Sequence, residues 1–276
     1  MKKAICHYSF HRRWAAEKWT PDRLAREVRD LGIEGIDYHA RLLGAAEGAA
    51  ELVTAAVAKY GLILSSLSLS TNFNRPKAEE LKAEIEATSK WIQFAAKVKA
   101  PVSRVFGGGM SAAERQDPAA GAAARQRMLD GLAAVAKEAE KCGITLALEN
   151  HGGLPCRAEE QIEVIKAINS PALRATIDVG NYMDGGQEGH VATALVAPYA
   201  AYVHFKDNKR APDPSKPWGW KSVPTVLGQG DVNLAECVAA LKKAGYAGFV
   251  ALEYEGGEDE ATGVLKSVEA LKRLVK

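Results

Sequence analysis

The sequence predicts one (β/α)8 TIM barrel, a single domain over residues 1–276. Three observations lead there. Eight short apolar runs alternate with eight amphipathic ones, and such alternation builds a parallel sheet with helices outside it. A chain of 276 residues suits the closed eight-unit form, which commonly runs to about 250 residues as one domain. The alternative, an open doubly wound sheet, usually opens on a G-x-G-x-x-G loop, and none follows the first run.

Lys3–Tyr8 is the first predicted strand. Thr20-Pro21-Asp22 opens the first helix: Thr20 caps it, Pro21 takes the first helical position, and Asp22 meets the positive dipole end. Leu24, Val28 and Leu31 form its apolar stripe, and Gly32 ends it. Ile33–Tyr38 is the second strand, exiting with Asp37 and His39, and Ala45–Tyr60 its helix, stopped at Gly61. Leu62–Leu69 and Pro76–Lys99 form the third pair. Pro101–Phe106, with Gly107-Gly108-Gly109 at its exit, and Asp117–Cys142 form the fourth.

The fifth strand, Ile144–Glu149, leads through Asn150 and His151 into two glycines, and Ala158–Ile168 is its helix. Arg174–Val179 and Val191–Ala197 follow as the sixth pair. Tyr202–Phe205 is the seventh strand. A polar stretch, Asp207–Asp231, reads as a long loop before the helix Asn233–Ala244. Phe249–Glu253 and Glu258–Leu274 complete the chain.

Composition is that of a globular protein, 47% hydrophobic and 25% charged. The net charge of +2 and the lack of a dense Lys/Arg run give no case for a nucleic-acid or other polyanion partner. Met1-Lys2-Lys3 begins like a signal peptide, but His7, Ser9, His11, Arg12 and Arg13 interrupt any apolar stretch after it. Nothing approaches a transmembrane helix, so no membrane association is expected. Cys6, Cys142, Cys156 and Cys237 show no CxxC spacing and read as free thiols in a reducing cytoplasm.

Function in such barrels sits at the C-terminal ends of the strands. Four consecutive predicted strands end in metal-capable residues: Glu149, Asp178, His204 and Glu253. A strand-end acid alone is often only a helix cap, and a lone His a core residue; four at equivalent ends form one constellation. Three carboxylates and one imidazole suit Mn²⁺, Mg²⁺ or Co²⁺, with Zn²⁺ also accommodated. Glu255 is a rival to Glu253, further past the strand end. Lys206 follows His204 by two and so shares its face, where it could steady an oxyanion or bridge to an acid. His151 is expected at the barrel mouth, and His7, Trp218 and Trp220 as walls for a sugar or as subunit contacts.

The stretches LALEN, TIDVGN, VHFKD, LGQGDVNL and ALEYEG resemble the xylose-isomerase-like TIM-barrel superfamily, most closely its sugar isomerase and epimerase branch. The resemblance is tight over Ile144–Gly256 and diffuse before it. It implies that Glu149, Asp178, His204 and Glu253 bind one divalent metal, Mn²⁺ preferred, and that Glu149 and Glu253 move a proton on opposite faces of the reacting carbon, as in ketose 3-epimerases. It also implies a substrate contact for Arg210, six residues after His204, and a homo-oligomer. Two departures stand out. Asn181 occupies the place of a substrate-binding His, and Pro155 and Cys156 that of a further Glu.

The expected function is therefore metal-dependent epimerisation or isomerisation of a sugar through an enediolate, a charge that a Lewis acid stabilises. A metal-dependent dehydratase or lyase on a keto-sugar or inosose-type substrate uses the same enolate chemistry and is the alternative. A repair endonuclease of the three-zinc type needs further His ligands that this sequence lacks. A catalytically silent sugar-binding barrel is disfavoured by the presence of both Glu149 and Glu253. Gly256-Gly257, after the eighth strand, is a weak signal for a phosphate-binding turn.

Overall fold

In the computed structural model, which describes residues 1–46 and 48–276, each expected apolar run is a strand. The strands are β1 Lys2–Cys6, β2 Gly35–His39, β3 Ile63–Ser68, β4 Val102–Phe106, β5 Thr145–Glu149, β6 Leu173–Asp178, β7 Ala200–Phe205 and β8 Phe249–Leu252. Each is parallel to its neighbours in chain order, and β1 pairs with both β2 and β8, so the sheet closes as a barrel. The helices between them lie outside, and the main apolar core fills the space between helices and sheet.

Local signals act as the sequence predicts. Thr20 accepts from the Arg23 N–H with Pro21 in the first turn, and Gly61 and Gly143 end their helices in the left-handed region. Asp117 caps the helix Pro118–Cys142 through the Ala119 N–H. The helix expected from Ala45 runs from Ala49 to Tyr60, after a short helix Ala40–Leu43; Glu47 lies outside the described residues. The four cysteines are free thiols. No helix among the described residues is long and apolar enough to cross a membrane.

Two elements differ from expectation. β1 stops at Cys6, and His7–Phe10 forms a 3₁₀ turn leading into a helix, His11–Ala16. The supposed loop Asp207–Asp231 contains an antiparallel hairpin, Asp207–Pro212 with Trp220–Thr225. Its strands are mostly polar and carry Pro212 and Pro224, so they lack the apolar alternation that marks a half-buried strand.

Strand residues point alternately in and out. Low in the barrel the inward set is small and apolar, with Ala4, Ala147, Tyr202 and Ala251 packed together. Gly35 belongs to this level because a Cβ there would meet the Phe249 ring at 2.6 Å and the Ala4 side chain at 2.8 Å. One pleat higher the inward set changes character. Cys6, Asp37, Ser68, Arg104, Glu149, Asp178 and His204 are all at most 1% exposed, and Glu253, just past β8, is 5% exposed. The barrel thus has a short apolar floor beneath a buried charged layer.

Candidate metal centre and active site

The register sets the geometry of that layer. Asp178 pairs with His204 across β6 and β7, and Glu149 with Thr176 across β5 and β6. Glu149, Asp178, His204 and Glu253 consequently each offer one donor atom, and all four atoms lie within 4.8 Å of one another. His204 Nδ1 lies 3.6 Å from Glu149 Oε1 and 3.7 Å from Glu253 Oε2. On the other side of the ring, Nε2 lies 3.3 Å from Asp37 Oδ2, which also accepts from Ser68 Oγ at 2.8 Å. A carboxylate behind an imidazole fixes its tautomer and leaves the other nitrogen free to bind a metal.

The centre fits a divalent ion on two counts. First, Asp178 Oδ2, His204 Nδ1 and Glu149 Oε2 are buried without a hydrogen-bond partner among the described residues. Buried polar atoms normally have one, and an ion bound at this cluster would supply it. The close approach of Glu149 Oε2 to Arg104 Nε, 3.0 Å, is an ion-pair contact without hydrogen-bond alignment. Second, the buried acids Asp37, Glu149, Asp178 and Glu253 face only two buried cations, Arg104 and Lys206. Two formal negative charges remain, which is the charge one divalent ion neutralises.

The same imbalance shows in the proton affinities. Burial pushes Asp178 up to about 8, with Lys206 opposing and Glu149 and Glu253 adding to the rise. Burial alone would lower His204, but Glu253 and Glu149 hold it well above the ordinary imidazole value. Glu149 goes the other way: burial raises it, and Arg104 and His204 outweigh that and hold it at about 2. Glu253 lies well below the usual range, burial being overcome by Lys206, His204 and Arg104.

The other expected residues divide. Lys206 is inside the centre, with Nζ at 2.8 Å from Glu253 Oε2, 2.9 Å from Glu255 Oε1 and 3.4 Å from Asp178 Oδ2. Asn181 bridges Lys206 and Glu149, accepting from the former and donating to Glu149 Oε1 at 3.2 Å. A cavity of about 160 Å³ opens above, lined by Tyr8, His39, Arg41, Ser70, Arg104, Phe106, His151, Glu253 and Glu255. His151 stacks on Phe106 with ring centres 4.1 Å apart.

Three expected walls lie elsewhere. His7 is fully buried behind the barrel, edge-on to Trp14 at 4.1 Å, because the chain turns after Cys6; Tyr8 lines the cavity instead. Arg210 sits on the hairpin, ion-paired with Glu188 and 4.9 Å from the Trp220 ring, and is not part of the cavity wall. Trp218 packs over Gly186, again outside that wall. The hairpin fold explains both displacements, since it holds these side chains against the segment 184–188.

Two residues of the centre were missed. Arg104 is 1% exposed, donates to Ser68 Oγ and the Leu69 carbonyl, and lies 4.0 Å from the Phe106 ring. Its signal was a charge inside the apolar run Val102–Phe106. Asp37 had been noticed as a strand-end acid but not joined to His204. Cys6 also touches the centre, its Sγ donating to Glu253 Oε1 at 3.6 Å.

A closed parallel barrel with an acid–imidazole cluster at its C-terminal mouth, able to hold a metal ion, defines a TIM-barrel protein. The chain belongs to the xylose isomerase-like TIM barrel family, whose model matches residues 25–274. It is 28% identical over 273 residues to L-ribulose-5-phosphate 3-epimerase UlaE of Salmonella paratyphi C, covering 94% of this chain and 90% of that protein. It is also 28% identical over 151 residues to the uncharacterized protein MJ1311 of Methanocaldococcus jannaschii, a match spanning 52% of this chain and about half, 47%, of that protein. Among solved structures, that of a D-tagatose 3-epimerase-like protein superposes over 100% of this chain and 97% of its own, with a TM-score of 0.78 at 18% identity, a likeness of fold.

Proposed function

We propose that this protein is a divalent-metal-dependent epimerase or isomerase of a keto sugar, moving a proton at a carbon beside the carbonyl. The observation that carries this reading is the convergence of four donor atoms from Glu149, Asp178, His204 and Glu253, three of those residues presenting partnerless buried atoms. Similarity to UlaE, named as a ketose-phosphate 3-epimerase, supports the reaction class.

Glu149, Asp178, His204 and Glu253 would hold the ion, Mn²⁺ by preference, which supplies Lewis acidity toward developing oxygen charge. The rest falls to the side chains. Arg104 against Glu149, and Lys206 against Glu253, keep both carboxylates ionised and able to accept a proton from carbon. Asn181 fixes the orientation of Glu149. Both acids approach His204 Nδ1, at 3.6 and 3.7 Å, and on this reading they would reach the substrate from different sides. Isomerisation needs only one of them, which takes the proton and returns it to the adjacent carbon; epimerisation needs the opposite acid to have drawn a proton from solvent beforehand, which it gives to the other face while the first acid keeps the proton it took. Lys206 is close enough to both Asp178 and Glu253 to steady an oxyanion as well.

The test is metal analysis of the purified protein, followed by incubation with keto sugars in D₂O. Deuterium should enter at the carbon beside the carbonyl in the Mn²⁺-loaded protein. Glu149→Gln and Glu253→Gln, at saturating Mn²⁺, should each slow exchange by at least ~100-fold. Exchange at the wild-type rate in both would end the proposal. The dehydratase reading has one observation in its favour. His151 lines the cavity two residues beyond Glu149, where it could protonate a departing hydroxyl. A dehydrated product in the mass spectrum would select it.

A further inference from the structure

The cavity above the centre has a second pole. Besides Glu253 and Glu255, its lining includes Arg41, His39 and Ser70, at the exits of β2 and β3. A neighbouring cavity of about 240 Å³ shares Arg41 and Ser70, so these two side chains stand between the two spaces. We propose that the substrate carries an anionic group, a phosphate or a carboxylate, seated on Arg41, His39 and Ser70 at the end of the cavity away from the reacting carbon. This deepens the keto-sugar reading and rests on it for the identity of the rest of the molecule.

Two independent observations point to a ligand here. His39 is 3% exposed, lines the cavity, and its Nδ1 has no hydrogen-bond partner among the described residues. Its Nε2 lies 3.5 Å from Ser70 Oγ, so imidazole and hydroxyl are already joined as a polar pair. The second observation is charge. Arg104 is paired with Glu149, and Lys206 with three acids. Arg41 lines the same cavity and pairs with no acid among the described residues. A guanidinium presents paired N–H groups that match a carboxylate or phosphate edge.

Burial above all, with Arg104 and Arg41 adding to it against Glu253, pushes His39 down to about 3. A neutral His39 can still donate one N–H to an anion. Glu253 and Glu255 line the same cavity and disfavour an anion placed beside them.

The experiment uses the full-length, Mn²⁺-loaded protein with inorganic phosphate and acetate as probes, binding being read by calorimetry. Wild type should bind at least one of them. Arg41→Gln should weaken that binding by at least ~10-fold, and Arg41→Lys, which keeps the charge but not the fork, should fall between. Phosphate favoured over acetate identifies a phosphorylated substrate; acetate equal or favoured identifies a carboxylate. Failure of both anions to bind, or binding by Arg41→Gln at wild-type strength, overturns the proposal. Deuterium exchange separates the two claims. Arg41-dependent anion binding without exchange on any keto sugar would remove the reaction and leave the anion pole. Exchange without such binding would do the reverse.

Discussion

Loading the metal-free protein with Mn²⁺ should release protons, and their number follows from the charges in the barrel. Four buried acids face two buried cations, so two negative charges are left. Without an ion, protons settle that imbalance. His204 is held protonated by Glu253 and Glu149, and Asp178 is protonated below about 8. An ion that takes His204 Nδ1 and Asp178 Oδ2 must displace both. At pH 7 roughly two protons should leave per ion, and the apparent affinity should rise about 100-fold per pH unit. Above about 8 the release should fall, since Asp178 then loses its proton unaided. The linked effect on folding has the same sign. Both groups are raised in the metal-free fold. The stability they confer is complete below their unfolded values, 3.8 for Asp178 and 6.5 for His204, and is lost as pH rises toward the folded ones. The metal-free protein should therefore weaken as pH rises from about 4, through Asp178 first and above about 6.5 through His204 as well, and the loaded protein should not. Calorimetry in two buffers of different ionisation enthalpy measures the release. A value under about half a proton at pH 7 would refute the charge accounting, because the site would then be balanced without the ion.

Two further substitutions probe the supports of the centre. Arg104→Met leaves Glu149 buried without its guanidinium, with only His204 and Asn181 beside it, a loss of about 3–5 kcal/mol that corresponds to a melting temperature lower by roughly 6–20 °C. Mn²⁺ should recover more of that loss in the variant than it adds to wild type, because the ion takes over the compensation of Glu149; an unchanged metal-free melting temperature would show that Arg104 is dispensable. Asp37→Asn removes the carboxylate behind His204 Nε2 and should weaken Mn²⁺ binding ~10–100-fold by titration, with the folded circular dichroism spectrum retained; wild-type affinity would show that Asp37 does not orient the imidazole.

The barrel was readable because parallel strands covered on both faces must be apolar throughout, and Ile144–Glu149 or Phe249–Leu252 cannot be mistaken for a solvated loop. The hairpin was not, because Asp207–Pro212 buries only the polar Asp207 and Asn208 and Trp220–Thr225 is half-buried to exposed, so neither strand carries an apolar period. The same contrast explains which site residues were found. Glu149, Asp178, His204 and Glu253 end apolar runs, so their polarity is conspicuous. Arg210 and Trp218 were placed by position along a loop, and position there depends on a fold the loop's sequence did not reveal.

Arg104 and Asp37 needed a different kind of reading, one taken across the strands. Counting inward residues by the two-residue period carries seven of the eight strands from the floor to the charged layer: Ala4 to Cys6, Gly35 to Asp37, Val102 to Arg104, Ala147 to Glu149, Thr176 to Asp178, Tyr202 to His204, Ala251 to Glu253. Written that way, the sequence itself shows acids in excess of bases at this level, an excess that one divalent ion would neutralise. Ligand spacing along the chain names candidates one at a time. The charge balance around one level of the barrel tests them together, and it requires Arg104 and Asp37 as much as the four that converge on the orphaned atoms.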